Sequence, residues 1–112
     1  MLSLCLLASH MVGDYIVQTD WMAANKLKDA AARAIHVFAY SLCFIPTACR
    51  YAPTHAGAVA FLLLNAAAHF VVDSRRWASG DRWPPKPILV DQAIHAACLA
   101  ALGVLFLEGP RG

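Results

Sequence analysis

Four long apolar segments, separated by short polar ones, take up most of this 112-residue chain. A helix needs roughly 17–25 mainly apolar residues to cross a bilayer. Segments of about that length occur at residues 1–18, 30–50, 56–77 and 88–107. Only helices and closed barrels satisfy their backbone groups in lipid. We therefore predict an all-α fold, a bundle of four transmembrane helices that forms a single integral membrane domain over residues 1–112.

The composition excludes several classes of protein. Apolar residues make up 60% of the chain and charged residues only 14%, against about a quarter in soluble domains. A net charge of +2 without a basic stripe argues against nucleic acid as a partner. The four cysteines form no CxxC pair, so neither a disulfide framework nor a thiolate zinc site is predicted. The chain is expected to have the lipid bilayer as its surroundings.

The basic residues predict an orientation in that bilayer. Nine Lys and Arg are present, and two of them, Arg50 and Arg111, fall on one side of the predicted bundle. The other seven fall on the opposite side: Lys26, Lys28, Arg33, Arg75, Arg76, Arg82 and Lys86. The positive-inside rule places these basic loops in the cytoplasm and both termini outside, in a bacterial inner membrane. The first segment lacks a positive n-region, so we interpret it as a transmembrane helix and not as a signal peptide.

Ionisable side chains recur inside the apolar segments, three times as His–Asp pairs at i, i+4 spacing. Residues with that spacing share one face of a helix. Such groups are costly inside a membrane and indicate a functional site. From the rise of 1.5 Å per residue, the aspartates lie near the cytoplasmic helix ends and the histidines one turn deeper. The seven side chains are His10, Asp14, His36, His69, Asp73, Asp91 and His95.

The positions of these residues also suggest an internal repeat. Adding 59 to the numbers of His10, Asp14 and His36 gives His69, Asp73 and His95. The bundle would then contain two helical hairpins related by a pseudo-two-fold axis along the membrane normal. Asp91 breaks the pattern, because its counterpart is Ala32.

Imidazole and carboxylate side chains are ligands that suit a divalent transition metal, zinc in first place, with iron or manganese as alternatives. All seven residues are candidate ligands, for two metals or for one metal with supporting groups. The carboxylates of Asp14, Asp73 and Asp91 are also candidates for catalysis as general bases. Two other interpretations remain open: a hydrogen-bond network that fixes helix register, and a proton or ion pathway.

Several motifs resemble those of a known family. HMVGDYIVQTDWMAANK (residues 10–26), HFVVD (residues 69–73) and DQAIH (residues 91–95) are similar to motifs of small integral membrane proteins from bacteria and phages, a family of unknown function. The resemblance covers nearly the whole chain. The His and Asp residues at helix ends also resemble, more distantly, the membrane-bound metal-dependent hydrolases of bacteria.

The leading functional hypothesis is a metal-dependent hydrolase that acts on a lipid or other membrane-associated substrate near the cytoplasmic face, with anionic lipid as a candidate substrate. A small transporter or channel is the first alternative, and it would require a homo-oligomer. A b-type cytochrome and a structural or phage-encoded modulator of a membrane complex are further alternatives.

Overall fold

The computed structural model describes residues 1–26, 28–74 and 87–108, and their regular structure is entirely helical. The all-α prediction is confirmed. The helices are α1 (Leu2–Met11), a π-helical segment (Val12–Ile16), α2 (Asp20–Asn25), α3 (Ala30–Leu42), α4 (Ile45–Tyr51), α5 (His55–Asp73) and α6 (Pro87–Phe106).

Helices α5 and α6 are long and apolar enough to cross a membrane. The pair α3 and α4 gives a third span if it is counted as one helix with a bend of 42°. The predicted second segment is thus broken after Leu42, and Pro46 lies in the first turn of α4, where its missing N–H costs no helical hydrogen bond. The apolar helix of the first segment, Leu2–Ile16, is shorter than these spans.

The outer surface of the helices is apolar. Phe38, Leu63 and Leu105 are each about two-thirds exposed, at 68%, 66% and 70%. A soluble monomer rarely exposes so many large apolar side chains over a continuous surface. This surface fits a lipid environment.

The helices close into a ring. The π-helical segment packs against α3, α3 against α5, α5 against α6, and α6 against α1. Side-chain caps start the helices: the hydroxyl oxygen of Thr54 accepts from the N–H of Gly57 at 3.0 Å, and a carboxylate oxygen of Asp29 accepts from Ala31 at 3.0 Å. The end where α1 ends and α3 begins is called the polar end below.

The two halves of the bundle interior differ in chemistry. Towards the hairpin between α4 and α5, the core is apolar, and the rings of Tyr40 and Phe44, with centroids 4.9 Å apart, continue to Phe61 at 6.0 Å. This core contains Leu6, Tyr40, Phe44, Ala48, Phe61, Leu99 and Leu107. Towards the polar end, the buried side chains are mainly His and Asp. Packing in the apolar half stabilises the bundle, and the polar half contains the side chains that could form a functional site.

Candidate metal centre

All seven predicted site residues lie in the polar half, and each is exposed by 5% or less. Asp14 comes from the π-helical segment and His36 from α3. His69 and Asp73 occupy the last two turns of α5, while Asp91 and His95 lie near the start of α6. His10 comes from α1, so five helical segments carry the seven side chains into the same half of the bundle.

Four of these side chains present one atom each to a common centre. The Nε2 atom of His36 lies 3.0 Å from Nε2 of His69 and 3.2 Å from Oδ1 of Asp14. The Oδ2 atom of Asp73 lies 3.2 Å from Nε2 of His36 and 3.1 Å from Nε2 of His69. Asp14 Oδ1 lies 3.5 Å from His69 Nε2. We call these four atoms the four-atom cluster.

The dimensions of the four-atom cluster match a metal site. A tetrahedron with zinc–ligand bonds of about 2.0–2.1 Å has edges of about 3.3–3.4 Å. The five edges given above lie between 3.0 and 3.5 Å. Nitrogen and oxygen donors of this kind are ligands of zinc, iron and manganese. These buried groups could hold a metal ion.

The charge of the cluster also fits a cation. Two buried carboxylates face each other across it, and buried charges are stable only when they are compensated. Oδ2 of Asp73 accepts no hydrogen bond from the described residues. The Nζ atom of Lys26 lies 3.5 Å from this oxygen and supplies one positive charge. A divalent cation would compensate both carboxylates.

A second group adjoins the first and shares Asp73 with it. Oδ1 of Asp73 lies 3.3 Å from Nε2 of His95, and Oδ1 of Asp91 lies 3.2 Å from the same nitrogen. Asp73, Asp91 and His95 are a further set that could hold a metal ion. The two oxygens of Asp73 therefore face two different groups.

A contact between the imidazole rings of His69 and His95 determines whether both histidines can be metal ligands. Nδ1 of His69 lies 3.1 Å from Nδ1 of His95. A neutral imidazole carries one N–H, so one ring donates and the other accepts. If Nε2 of His69 is a ligand, its proton is on Nδ1 and is donated to His95. The proton of His95 is then on Nε2 and is donated to a carboxylate, so His95 supports the site and is not a ligand.

His10 lies beside the four-atom cluster, with both ring nitrogens occupied by other groups. Its Nδ1 is 2.8 Å from the hydroxyl of Tyr40, and its Nε2 is 2.8 Å from Oε1 of Gln92. The amide nitrogen of Gln92 donates to Oδ2 of Asp14 at 3.2 Å. Because an amide oxygen only accepts, Nε2 of His10 carries the proton, and Nδ1 accepts from Tyr40. His10 thus orients Asp14 through Gln92.

Three residues outside the predicted set complete the surroundings. Tyr40 stacks on His69, with ring centroids 3.7 Å apart and planes 14° from parallel. Gln92 and Lys26 contact the carboxylates of Asp14 and Asp73. Two of them had a signal in the sequence: Tyr40 lies one turn after His36, and Gln92 is a further polar residue in an apolar segment. Four of the predicted basic residues lie outside the described residues: Arg75, Arg76, Arg82 and Lys86.

A comparison with known families decides the relationship suggested by the motifs. A family model described as "Protein of unknown function (DUF3307)" matches residues 2–109. The chain belongs to this family. The matched range contains every residue of the candidate site, and the predicted membership of an uncharacterised family is confirmed. Searches of curated proteins and of solved structures find no match to the chain.

Proposed function

We propose that this protein binds one divalent transition metal at the four-atom cluster and uses it to hydrolyse an ester or phosphoester of a membrane-associated substrate. Zinc is the first candidate, with iron and manganese as alternatives. The observation that carries the proposal is that five of the six cluster edges, at 3.0–3.5 Å, agree with the edges of a tetrahedral site. The ligands are Asp14, His36, His69 and Asp73.

The metal and the residues around it would have different roles in the reaction. A bound divalent metal polarises a substrate oxygen and acidifies water. His95 donates to Asp73 and accepts from His69, so it fixes the orientation of two ligands. Asp91, which lies outside the four-atom cluster at 3.2 Å from His95, is the carboxylate that we assign to proton transfer.

A catalytic metal needs a coordination position for water or substrate. Zinc gains such a position by expanding from four to five ligands. Asp14 and His69, whose ligand atoms are 3.5 Å apart, are the most widely separated of the five measured pairs, so they would leave the most room for such a further ligand if a metal were held there.

We place the site near the cytoplasmic face of a bacterial inner membrane, with both termini outside. The described basic residues Lys26, Lys28 and Arg33 support this orientation, because they all lie at the polar end. The bilayer is then both the surroundings of the protein and the source of its substrate.

A structural metal is the second candidate function. Four protein ligands fill a tetrahedral coordination shell, as they do in structural zinc sites, and these four come from three separate helical segments. Ion transport has less support: among the described residues, Phe44, Phe61 and Leu99 pack into an apolar core on the other side of the site. An ion would have to cross that core.

Elemental analysis and hydrolysis assays of the same preparations test the proposal. Purified protein is stripped with a chelator and reloaded with zinc, iron or manganese. We expect about one equivalent of metal in the native chain and less than about 0.2 in His36→Gln. His55→Gln is the matched control, because His55 is exposed in the hairpin at the other end.

The outcomes separate the two candidates. Metal-dependent cleavage of chromogenic esters or phosphoesters, lost on chelation and restored by metal, supports the hydrolase. Full metal occupancy with higher thermal stability but without hydrolysis supports the structural role. Less than about 0.2 equivalents in the native chain contradicts both.

A further inference from the structure

Arg33 is a buried cation close to the candidate metal centre. It lies in the first turns of α3, and only 7% of it is exposed. Its Nη1 donates to the backbone oxygen of Lys26 at 3.1 Å, and its Nε is buried without a partner among the residues that the structure describes. Among residues 1–26, 28–74 and 87–108, no carboxylate pairs with its guanidinium. Within the described part of the chain, one hydrogen bond is thus formed by a guanidinium group that carries five N–H donors.

This arrangement is costly for the protein alone. A buried charge loses its hydration and is tolerated when it is paired. The ring of Phe70, whose centroid lies 4.4 Å from the Arg33 Cζ atom, offers a cation–π contact, which is weaker than that loss. Arginine carries five N–H donors in a planar fork that matches the oxygens of a phosphate group. An oxyanion would supply the missing charge and acceptors.

A cavity of about 150 Å³ lies at this arginine, lined by Arg33, Phe70, Val71 and Ser74. Its size suits a small anionic group and not a whole lipid. Val71 is 64% exposed on the outer surface of the bundle, so the cavity opens towards the region occupied by lipid. A headgroup could enter from the side while its acyl chains stay in the bilayer.

The cavity is also close to the four-atom cluster. His36 follows Arg33 by three residues, about one turn along α3. His69, whose Nε2 belongs to the cluster, directly precedes Phe70 in α5. The two helices that line the cavity are therefore the ones that carry three of the four metal ligands.

We propose that Arg33 binds the phosphate group of a phosphoester, with phospholipid headgroups as the first source and soluble phosphate compounds as the second. If the proposed hydrolase function is correct, this site implies that the substrate is a phosphoester and not a carboxylic ester. That implication rests on the proposed function, whereas phosphate binding by Arg33 does not. In that reaction, the oxygen of water forms a new P–O bond and the P–O bond to the leaving alcohol breaks. One of the two protons of water stays with the phosphate product, and the other passes to the leaving alcohol.

Binding titrations in a maltoside detergent, which contains no phosphate, test the site. The probes are short-chain phosphatidylglycerol, the matching phosphate-free diacylglycerol, and inorganic phosphate. The full chain is used without metal, so that a failure of metal binding or of hydrolysis is not read as a failure of this site. Arg33→Gln is compared with Arg33→Lys, which keeps the charge, and with Lys28→Gln, which removes an exposed charge at the same end.

We expect phosphatidylglycerol to bind the native chain at least about tenfold more tightly than diacylglycerol. Arg33→Gln removes that difference, Arg33→Lys keeps part of it, and Lys28→Gln leaves it within about twofold. Inorganic phosphate binding as tightly as the lipid assigns the site to soluble phosphate compounds. Equal binding of the two lipids to the native chain, or an unchanged preference in helical Arg33→Gln, overturns the proposal.

Discussion

The His-x-x-x-Asp motif occurs twice, and its two copies are used differently. In α5, which is a continuous α-helix, His69 Nε2 lies 3.1 Å from Asp73 Oδ2, and both atoms belong to the four-atom cluster. In the first segment, His10 Nε2 lies 3.7 Å from Asp14 Oδ2 and is bonded to Gln92. Identical spacing therefore yields two candidate ligands in one copy, and one candidate ligand with a supporting histidine in the other.

The backbone between the paired residues explains the difference. The N–H of Val17 bonds to the oxygen of Val12 at 2.9 Å, an i, i+5 bond of the π-helical segment. A wider turn changes the direction of Asp14 relative to His10. Gly13 lies at this turn against Tyr40, whose hydroxyl donates a hydrogen bond to Nδ1 of His10. The π turn thus delivers Asp14 to the cluster and His10 to Tyr40.

The largest expected effect is a difference in zinc affinity between variants of the two motif histidines, His69 and His10. His69→Gln removes a ligand and should weaken zinc binding by more than about 100-fold, whereas His10→Gln removes a supporting group and should weaken it by about tenfold. Competition with a chromogenic chelator measures both affinities. Equal losses in the two variants would show that the two copies of the motif have the same role.

The next comparison is between His36 and His95, the other pair separated by 59 residues. The Nδ1 contact between His69 and His95 predicts one bound metal per chain, with His95→Gln retaining it at about 10–100-fold lower affinity. His36→Gln should lose it. Metal analysis at saturation is the measurement, and two equivalents in the native chain would contradict the assignment of His95 as a supporting group.

Gly13→Ala tests the π turn itself. A Cβ atom at this position would lie 2.6 Å from Cδ2 and 3.3 Å from Cα of Tyr40, so we expect a loss of about 1–3 kcal/mol in the free energy of unfolding. Gly103→Ala is the matched control, because its Cβ meets the flexible end of Leu6 at 3.0 Å. Unfolding in mixed micelles compares the two, and an equal cost would mean that the close approach of Tyr40 is unimportant.

Tyr40→Phe should have the smallest effect. It keeps the ring that stacks on His69 and removes the hydroxyl that donates to His10, a hydrogen bond worth about 0.5–1.5 kcal/mol. Metal affinity should fall by less than about tenfold, because His10 acts through Gln92. A loss as large as that of His69→Gln would assign the tyrosine hydroxyl a direct role at the metal.

The sequence was sufficient for the positions that follow from simple helix geometry. The i, i+4 spacing and the distance from each helix end predicted that the His and Asp side chains lie together near one end of the bundle, and all seven are buried there. The π turn was not predictable, because it is accompanied by the tertiary contact between Gly13 and Tyr40. From the sequence, Arg33 contributed only to the predicted membrane orientation. Its burial was not predictable, because it depends on how α3 packs against α5.

The origin of the four cluster atoms has a consequence for biosynthesis. They come from the π-helical segment, α3 and α5, and none comes from α6. Because a chain is made from its N-terminus, this set is complete before the last helix has been synthesised. A metal taken up at that stage would neutralise the carboxylates while they are still in contact with water. Helix α6 would then pack against the other helices after the metal is bound, and would cover the site.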